Sequence, residues 1–156
     1  MKTKNYTPTQ AREKIRHYCA YQERSHKEVI NKLYSYGLHS SDVDEILIEV
    51  IAEGFLNEER YAKAFAGGKF RIKKWGRTKI KHELEANGLT KNCIKAGLTE
   101  IDEKDYQVTL TNLLKKKLDQ LEGNDFFKRD KAAKYAIRKG FEAEFVWEIL
   151  KNLHLK

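Results

Sequence analysis

Leu33, Gly37 and Leu38 set a spacing that returns, 51 residues later, at Leu84, Gly88 and Leu89. Counted from each glycine, the apolar pattern also matches upstream at Val29 and Ile80 and downstream at Val43 and Ile94, so two helical faces are covered. A weaker third copy centres on Gly140, where Phe141 and Val146 follow and Ile149 and Leu150 parallel Ile46 and Leu47 of the first copy. A period of this size describes stacked supersecondary units, none of which buries its apolar face alone, and such stacks offer long surfaces to extended partners. The expected fold is all-α, an elongated tandem array of three three-helix repeats with about nine helices. A single Pro and nine Gly leave little room for a turn-dense β fold. The expected division is an N-terminal tail over 1–10 and helical repeats over 11–56, 57–101 and 102–156.

Helix starts and stops are written along the chain. Thr7 reads as a cap, with Pro8 in the first turn and Gln10 reaching back to complete a capping box. Ser25 and Glu28 repeat that logic, Val29 and Leu33 give an inward face, and Gly37 supplies the left-handed residue that ends the helix. Ser40 or Ser41 starts a third helix with Val43, Ile46, Leu47, Val50 and Ile51 on one stripe. Asn57, Thr90 and Asp102 mark later starts. Gly67 and Gly68 interrupt a long helix at roughly 1 kcal/mol each relative to Ala, which predicts a bend or a close contact there. Gly76 breaks the chain before the next helix, and helices over 103–121, 126–139 and 142–153 complete the set.

The net charge of +8 favours polyanions, because basic side chains gain free energy by displacing counterions condensed on nucleic acid. Placement says more than the total. Residues 39–59 hold seven acids and no Lys or Arg, whereas 60–82 hold nine Lys or Arg and no acid, so adjoining stretches offer opposite fields. Lys69, Arg71, Lys73, Lys74, Arg77, Lys79 and Lys81 form the leading candidate surface, with phosphate contact as their role and a solvated helical face as the alternative. Lys115, Lys116 and Lys117, with Arg129, Lys131, Lys134, Arg138 and Lys139 in the following helix, are secondary candidates. Consecutive lysines on a helix point in different directions, so they cannot all face one groove.

Other features carry two readings each. Trp75 either stacks on an exposed base or plugs a junction between modules, and core packing is the stronger expectation, as it is for Tyr34, Tyr36 and Phe70. The acidic helix from Asp42 to Glu53 is either a face for a basic protein or a solvated face. Glu58, Glu59 and Arg60 read first as helix-start chemistry and packing, then as partner contacts. Cys19 and Cys93 form no metal spacing or disulfide framework and read as buried free thiols. His17, His26, His39, His82 and His154 give no metal-ligand motif, and no phosphate-binding Gly loop occurs, so the expectation is a non-catalytic protein without metal or cofactor. Met1 to Gln10 lacks a secretory core and no segment approaches membrane-spanning length, from which a cytoplasmic location and no membrane partner are expected.

The segment Phe55-Leu56-Asn57-Glu58-Glu59-Arg60-Tyr61-Ala62, the basic aromatic run after it, Gly76, and the stretch from Lys79 to Leu89 together resemble the RecX regulatory family. The resemblance extends to the first repeat through Arg24-Ser25, Glu28, Leu33 and Gly37-Leu38, and more loosely to the third. Two departures are Asn57-Glu58-Glu59, where an acidic pair is usual, and Gly67-Gly68, where bulkier residues are commoner. The resemblance implies a regulator that binds RecA recombinase filaments on DNA and inhibits strand exchange, ATP hydrolysis and co-protease function, modulating recombination, DNA repair and the SOS response. Its partners would be the RecA filament and single- or double-stranded DNA without strong sequence preference. A monomer is expected, since no helix shows a second long apolar stripe. Two other functions compete: a helix-turn-helix DNA-binding regulator, suggested by the helix pairs joined at Gly37, Gly88 and Gly140, and a helical-repeat adaptor whose charge serves solubility.

Overall fold

The computed structural model describes residues 5–153, so His154 and the first four residues of the expected tail lie outside the described residues. Among the described residues there are nine α-helices and no strand: α1 (Pro8–Tyr21), α2 (His26–Ser35), α3 (Ser40–Ala52), α4 (Glu58–Gly68), α5 (Arg77–Ala86), α6 (Lys91–Leu98), α7 (Glu103–Gln120), α8 (Asp125–Arg138) and α9 (Ala143–Asn152). They form three successive sets of three. A five-residue π-helical turn, Lys69–Lys73, continues α4.

The caps act as their residues dictate. The Thr7 hydroxyl accepts from the Gln10 N–H at 3.2 Å while the Thr7 N–H donates to the Gln10 side chain at 3.0 Å. Ser25 and Glu28 close the same box with two 3.1 Å bonds, which satisfies a serine that has no exposure at all. Asn57, Thr90, Asp102 and Asn124 accept from the N–H three residues on, at 2.9, 3.3, 3.0 and 2.8 Å. Each such cap contributes about 1 kcal/mol. α3 begins at Ser40 behind His39, whose side chain makes no capping bond. Gly37, Gly88 and Gly140 define the repeat and hold φ of +83°, +80° and +102°, each between the second and third helix of its set. A Cβ is disfavoured in that left-handed conformation, which is why the spacing recurs on glycine.

Gly67 and Gly68 do not break α4, and the close contact expected there is found at Gly67, where an added Cβ would stand 2.8 Å from the Arg71 guanidinium. Gly68 keeps right-handed helical dihedrals, φ −65° and ψ −48°, and the backbone widens into the π turn before Lys74 ends it at φ +57°. The departure from α geometry thus falls after the glycines.

The chain divides into two compact units, Met1–Ala64 with Leu84–Gly97, and Phe65–Glu83 with Leu98–Lys156. The middle set of helices contributes to both. In the first unit, α1, α2 and α3 pack on one another around Ile15, Val29, Leu33, Val43 and Ile46. Arg12 donates to Glu49 at 2.7 and 3.2 Å, and one turn on Arg16 donates to Glu53 at 2.9 and 2.8 Å, so α1 and α3 are held in register. Gly97 of α6 lies against Ala62 of α4, where an added Cβ would stand 2.7 Å from the Ala62 carbonyl oxygen.

In the second unit, α7 packs on α8 and α9, and α8 on α9. Leu110, Leu114 and Leu118 recur along α7 at helical spacing and are buried, each contributing about 1.5–3 kcal/mol. Tyr106, fully buried, meets the rings of Phe70, Phe141 and Phe145 at centroid distances of 5.7, 5.1 and 6.1 Å. Its hydroxyl donates to Glu142 and accepts from the Arg77 N–H at 3.0 Å. Burial first, then the bond to Glu142, pushes the Tyr106 phenol well above the ordinary tyrosine range. Beside it the Gly76 N–H donates to Lys139 O at 2.8 Å and the Thr78 N–H to Gly140 O at 2.9 Å. Two backbones touch here without side chains between them.

Candidate nucleic-acid interface

Charge is divided unequally between the two units. The second holds 19 Lys or Arg against 12 Asp or Glu, and the first holds 12 against 11, so seven of the eight net positive charges belong to the second. All seven leading candidates and all the secondary ones lie in it.

The local fold explains how the leading candidates are presented. Lys69, Arg71 and Lys73 stand on the π turn, Lys74 is its left-handed terminus, and Arg77, Lys79 and Lys81 stand on α5. Trp75 gathers two of them, with Lys69 Nζ 4.9 Å and Lys79 Nζ 4.4 Å from its ring centroid. Each contact stabilises by about 0.5–1 kcal/mol at a solvated site and holds a flexible ammonium in place. Trp75 also meets Phe65 edge-on at 6.4 Å. It is half-buried and flanked by ammonium groups, whereas Tyr36 and Phe70 are buried and Tyr34 is exposed. Arg71, Lys73, Lys74 and Lys81 are exposed.

Arg77 stands apart from its neighbours in sequence. Its guanidinium lies 3.8 Å from the Tyr106 centroid, pairs with Glu103 at 2.8 Å, and approaches Glu142 at 3.6 Å. That side chain ties α5 to α7 and to the start of α9. Arg129 is similarly engaged, donating to Asp125 at 3.0 Å and to the carbonyls of Leu150 and Leu153. Lys131 sits 5.5 Å from the Phe127 ring, while Lys115 and Arg138 are exposed.

A groove of about 400 Å³ joins members of the two basic sets. One wall is a stripe of α7, Thr109, Asn112, Leu113, Lys116, Lys117 and Gln120, at spacings that keep every member on one face. Tyr135 on α8 and Lys139, which caps the C-terminus of that helix, form the other wall, and Lys74 completes it from the end of the π turn. Of the three consecutive lysines, Lys116 and Lys117 line the groove and Lys115 does not. The sequence shows Lys116 and Lys117 as part of a basic run, but their meeting with Tyr135 depends on the packing of α7 on α8.

The acidic stretch is largely engaged within the first unit. Glu49 and Glu53 pair with Arg12 and Arg16, and Glu45 lies 3.7 Å from Arg12. Glu58 accepts from the His26 N–H at 3.1 Å, Glu59 pairs with Lys63 at 3.4 Å, and Arg60 holds Glu23 at 2.6 Å and the Gly54 carbonyl at 3.0 Å. Cys19 is buried and Cys93 half-buried, both as free thiols, and burial pushes the Cys19 thiol up. Among the described residues no three His, Cys, Asp or Glu side chains are gathered as a metal site, and no helix is long and apolar enough to cross a membrane.

Residues 57–98, which span α4, the π turn, α5 and α6, match the family described as RecX, second three-helix domain. The chain is 27% identical over 131 residues to a regulatory protein RecX of Chlorobium phaeobacteroides, covering 84% of this chain and 85% of that protein. It is 24% identical to one from Streptococcus agalactiae, covering 90% of this chain and 54% of that longer relative. In three dimensions it resembles the crystal structure of RecX from Lactobacillus salivarius, with a TM-score of 0.84 at 23% identity over 94% of this chain and 96% of that one.

Proposed function

We propose, from the similarity of most of this chain to RecX regulatory proteins, that it binds RecA recombinase filaments on DNA and inhibits their recombinase, ATPase and co-protease activities. The observation that carries the reading is the concentration of net charge in the second unit, where the π turn and α5 present Lys69, Lys73, Lys74 and Lys79 together. Phosphates are the natural counter-charge, and contacts of this kind fix position on a nucleic acid without reading its sequence. The protein acts in the cytoplasm as a monomeric, non-catalytic modulator of recombination, DNA repair and the SOS response. A helix-turn-helix reading is less well supported, because α3 would carry its carboxylates toward phosphates and three of them already face arginines of α1.

The test is ATP hydrolysis by RecA on single-stranded DNA, titrated with this protein at several salt concentrations and compared with its binding to DNA alone. Inhibition with much less than one protein per recombinase subunit, weakening steeply with salt, is the expected result. No inhibition, or inhibition only when the DNA is fully sequestered, overturns the reading.

A further inference from the structure

We propose that the groove between α7 and α8 takes a short run of single-stranded nucleic acid, with unstacked bases against Tyr135 and Leu113 and phosphates at Lys74, Lys116 and Lys139. This deepens the reading above and rests on it for the presence of DNA.

Four observations support the assignment. Every charged side chain lining the groove is a lysine, so its occupant is anionic. Between the ammonium groups lie an aromatic ring, a leucine and the amides of Asn112 and Gln120, a mixture that suits bases and exceeds what a lone phosphate needs. The α7 stripe from Thr109 to Gln120 rises about 16 Å, and a groove of that length with a volume of about 400 Å³ admits splayed nucleotides. A duplex keeps its bases paired inside and would reach only the lysine rim.

The fourth observation is backbone geometry. Lys74 has the one positive φ outside glycine among the described residues, +57°, and that conformation falls at the groove edge. A left-handed lysine is disfavoured in an L-chain, and such outliers cluster where a side chain must be aimed. Lys117 adds a means of exchange. Its ammonium rests 4.5 Å from the Tyr135 centroid, where an arriving base would displace it toward a phosphate. An acidic peptide fits less well, because both walls are helices whose backbone groups are already bonded and offer an extended chain no ladder.

The test is fluorescence anisotropy with a short labelled oligothymidylate and with a duplex of equal length, for the full chain and two variants, with circular dichroism confirming the fold. Tyr135→Leu should weaken single-strand binding about tenfold and leave duplex binding unchanged. Lys116→Gln with Lys139→Gln should lower the slope of log K against log salt on the single strand by about 1.4 for two lost phosphate contacts. Equal losses on both DNAs for Tyr135→Leu, or no loss on the single strand with either variant, overturn the assignment, as does an oligoglutamate whose binding these variants abolish while oligothymidylate binding persists. Recombinase ATPase inhibition, measured on the same proteins, separates the two claims. Unchanged strand affinity in the variants with inhibition intact removes the groove and keeps the regulatory reading. Groove-dependent strand binding without inhibition by the full chain supports the groove and removes that reading.

Discussion

A Cβ built on Gly76 would lie 2.2 Å from the carbonyl carbon of Gly140 and 2.3 Å from its oxygen. These are backbone atoms tied by the Gly76 and Thr78 hydrogen bonds, so they cannot step aside as a flexible side chain would. Gly76→Ala is therefore expected to destabilise the protein by about 2 kcal/mol or more. Gly88 has open space around its Cβ position but a φ of +80°, so Gly88→Ala should cost about 1–2 kcal/mol through the backbone alone. Gly68 has open space and helical dihedrals, and Gly68→Ala should stabilise by about 0.5–1 kcal/mol. Urea unfolding midpoints of the three variants check this order, and a neutral Gly76→Ala would contradict the close approach. The sequence marks Gly76 as a chain break, yet nothing near it hints at Gly140, because that contact spans a separation no local pattern reports.

At the scale of elements, the capping residues were readable because an N-cap and its partner lie three residues apart. Thr7, Ser25, Asn57, Thr90 and Asp102 all cap as their local sequence indicates. The π turn was not readable. Helix propensity assigns a penalty to Gly67 and Gly68 but cannot say that the helix will absorb it and widen later, around Lys69–Lys73. The basic run was likewise visible as composition, while the separation of Arg77 from it depends on Tyr106, Glu103 and Glu142, all supplied by later helices. Two variants should divide these roles. Lys73→Glu with Lys74→Glu is expected to reduce filament inhibition and DNA affinity severalfold with the thermal midpoint preserved. Arg77→Glu is expected to lower that midpoint by several degrees, since it places a carboxylate among two others beside a buried ring. Loss of affinity without loss of stability in Arg77→Glu would return that residue to the binding surface.

Considered whole, the molecule keeps a nearly neutral unit and a strongly basic one within a single chain. Polyanion binding should follow that division. Lys91→Gln with Lys95→Gln, two exposed positions of the first unit, should leave DNA affinity and its salt slope unchanged, whereas Lys73→Gln with Lys74→Gln lowers both. Equal effects from the two pairs, read by anisotropy across a salt series, would mean that total charge governs binding and its placement does not. Lys139 draws these scales together. Its carbonyl receives the Gly76 N–H that sets the start of α5, and its side chain belongs to the groove wall. The groove wall and the basic turn around Trp75 therefore share a backbone fastening, so a substitution that disturbs the Lys139 backbone should be felt at both.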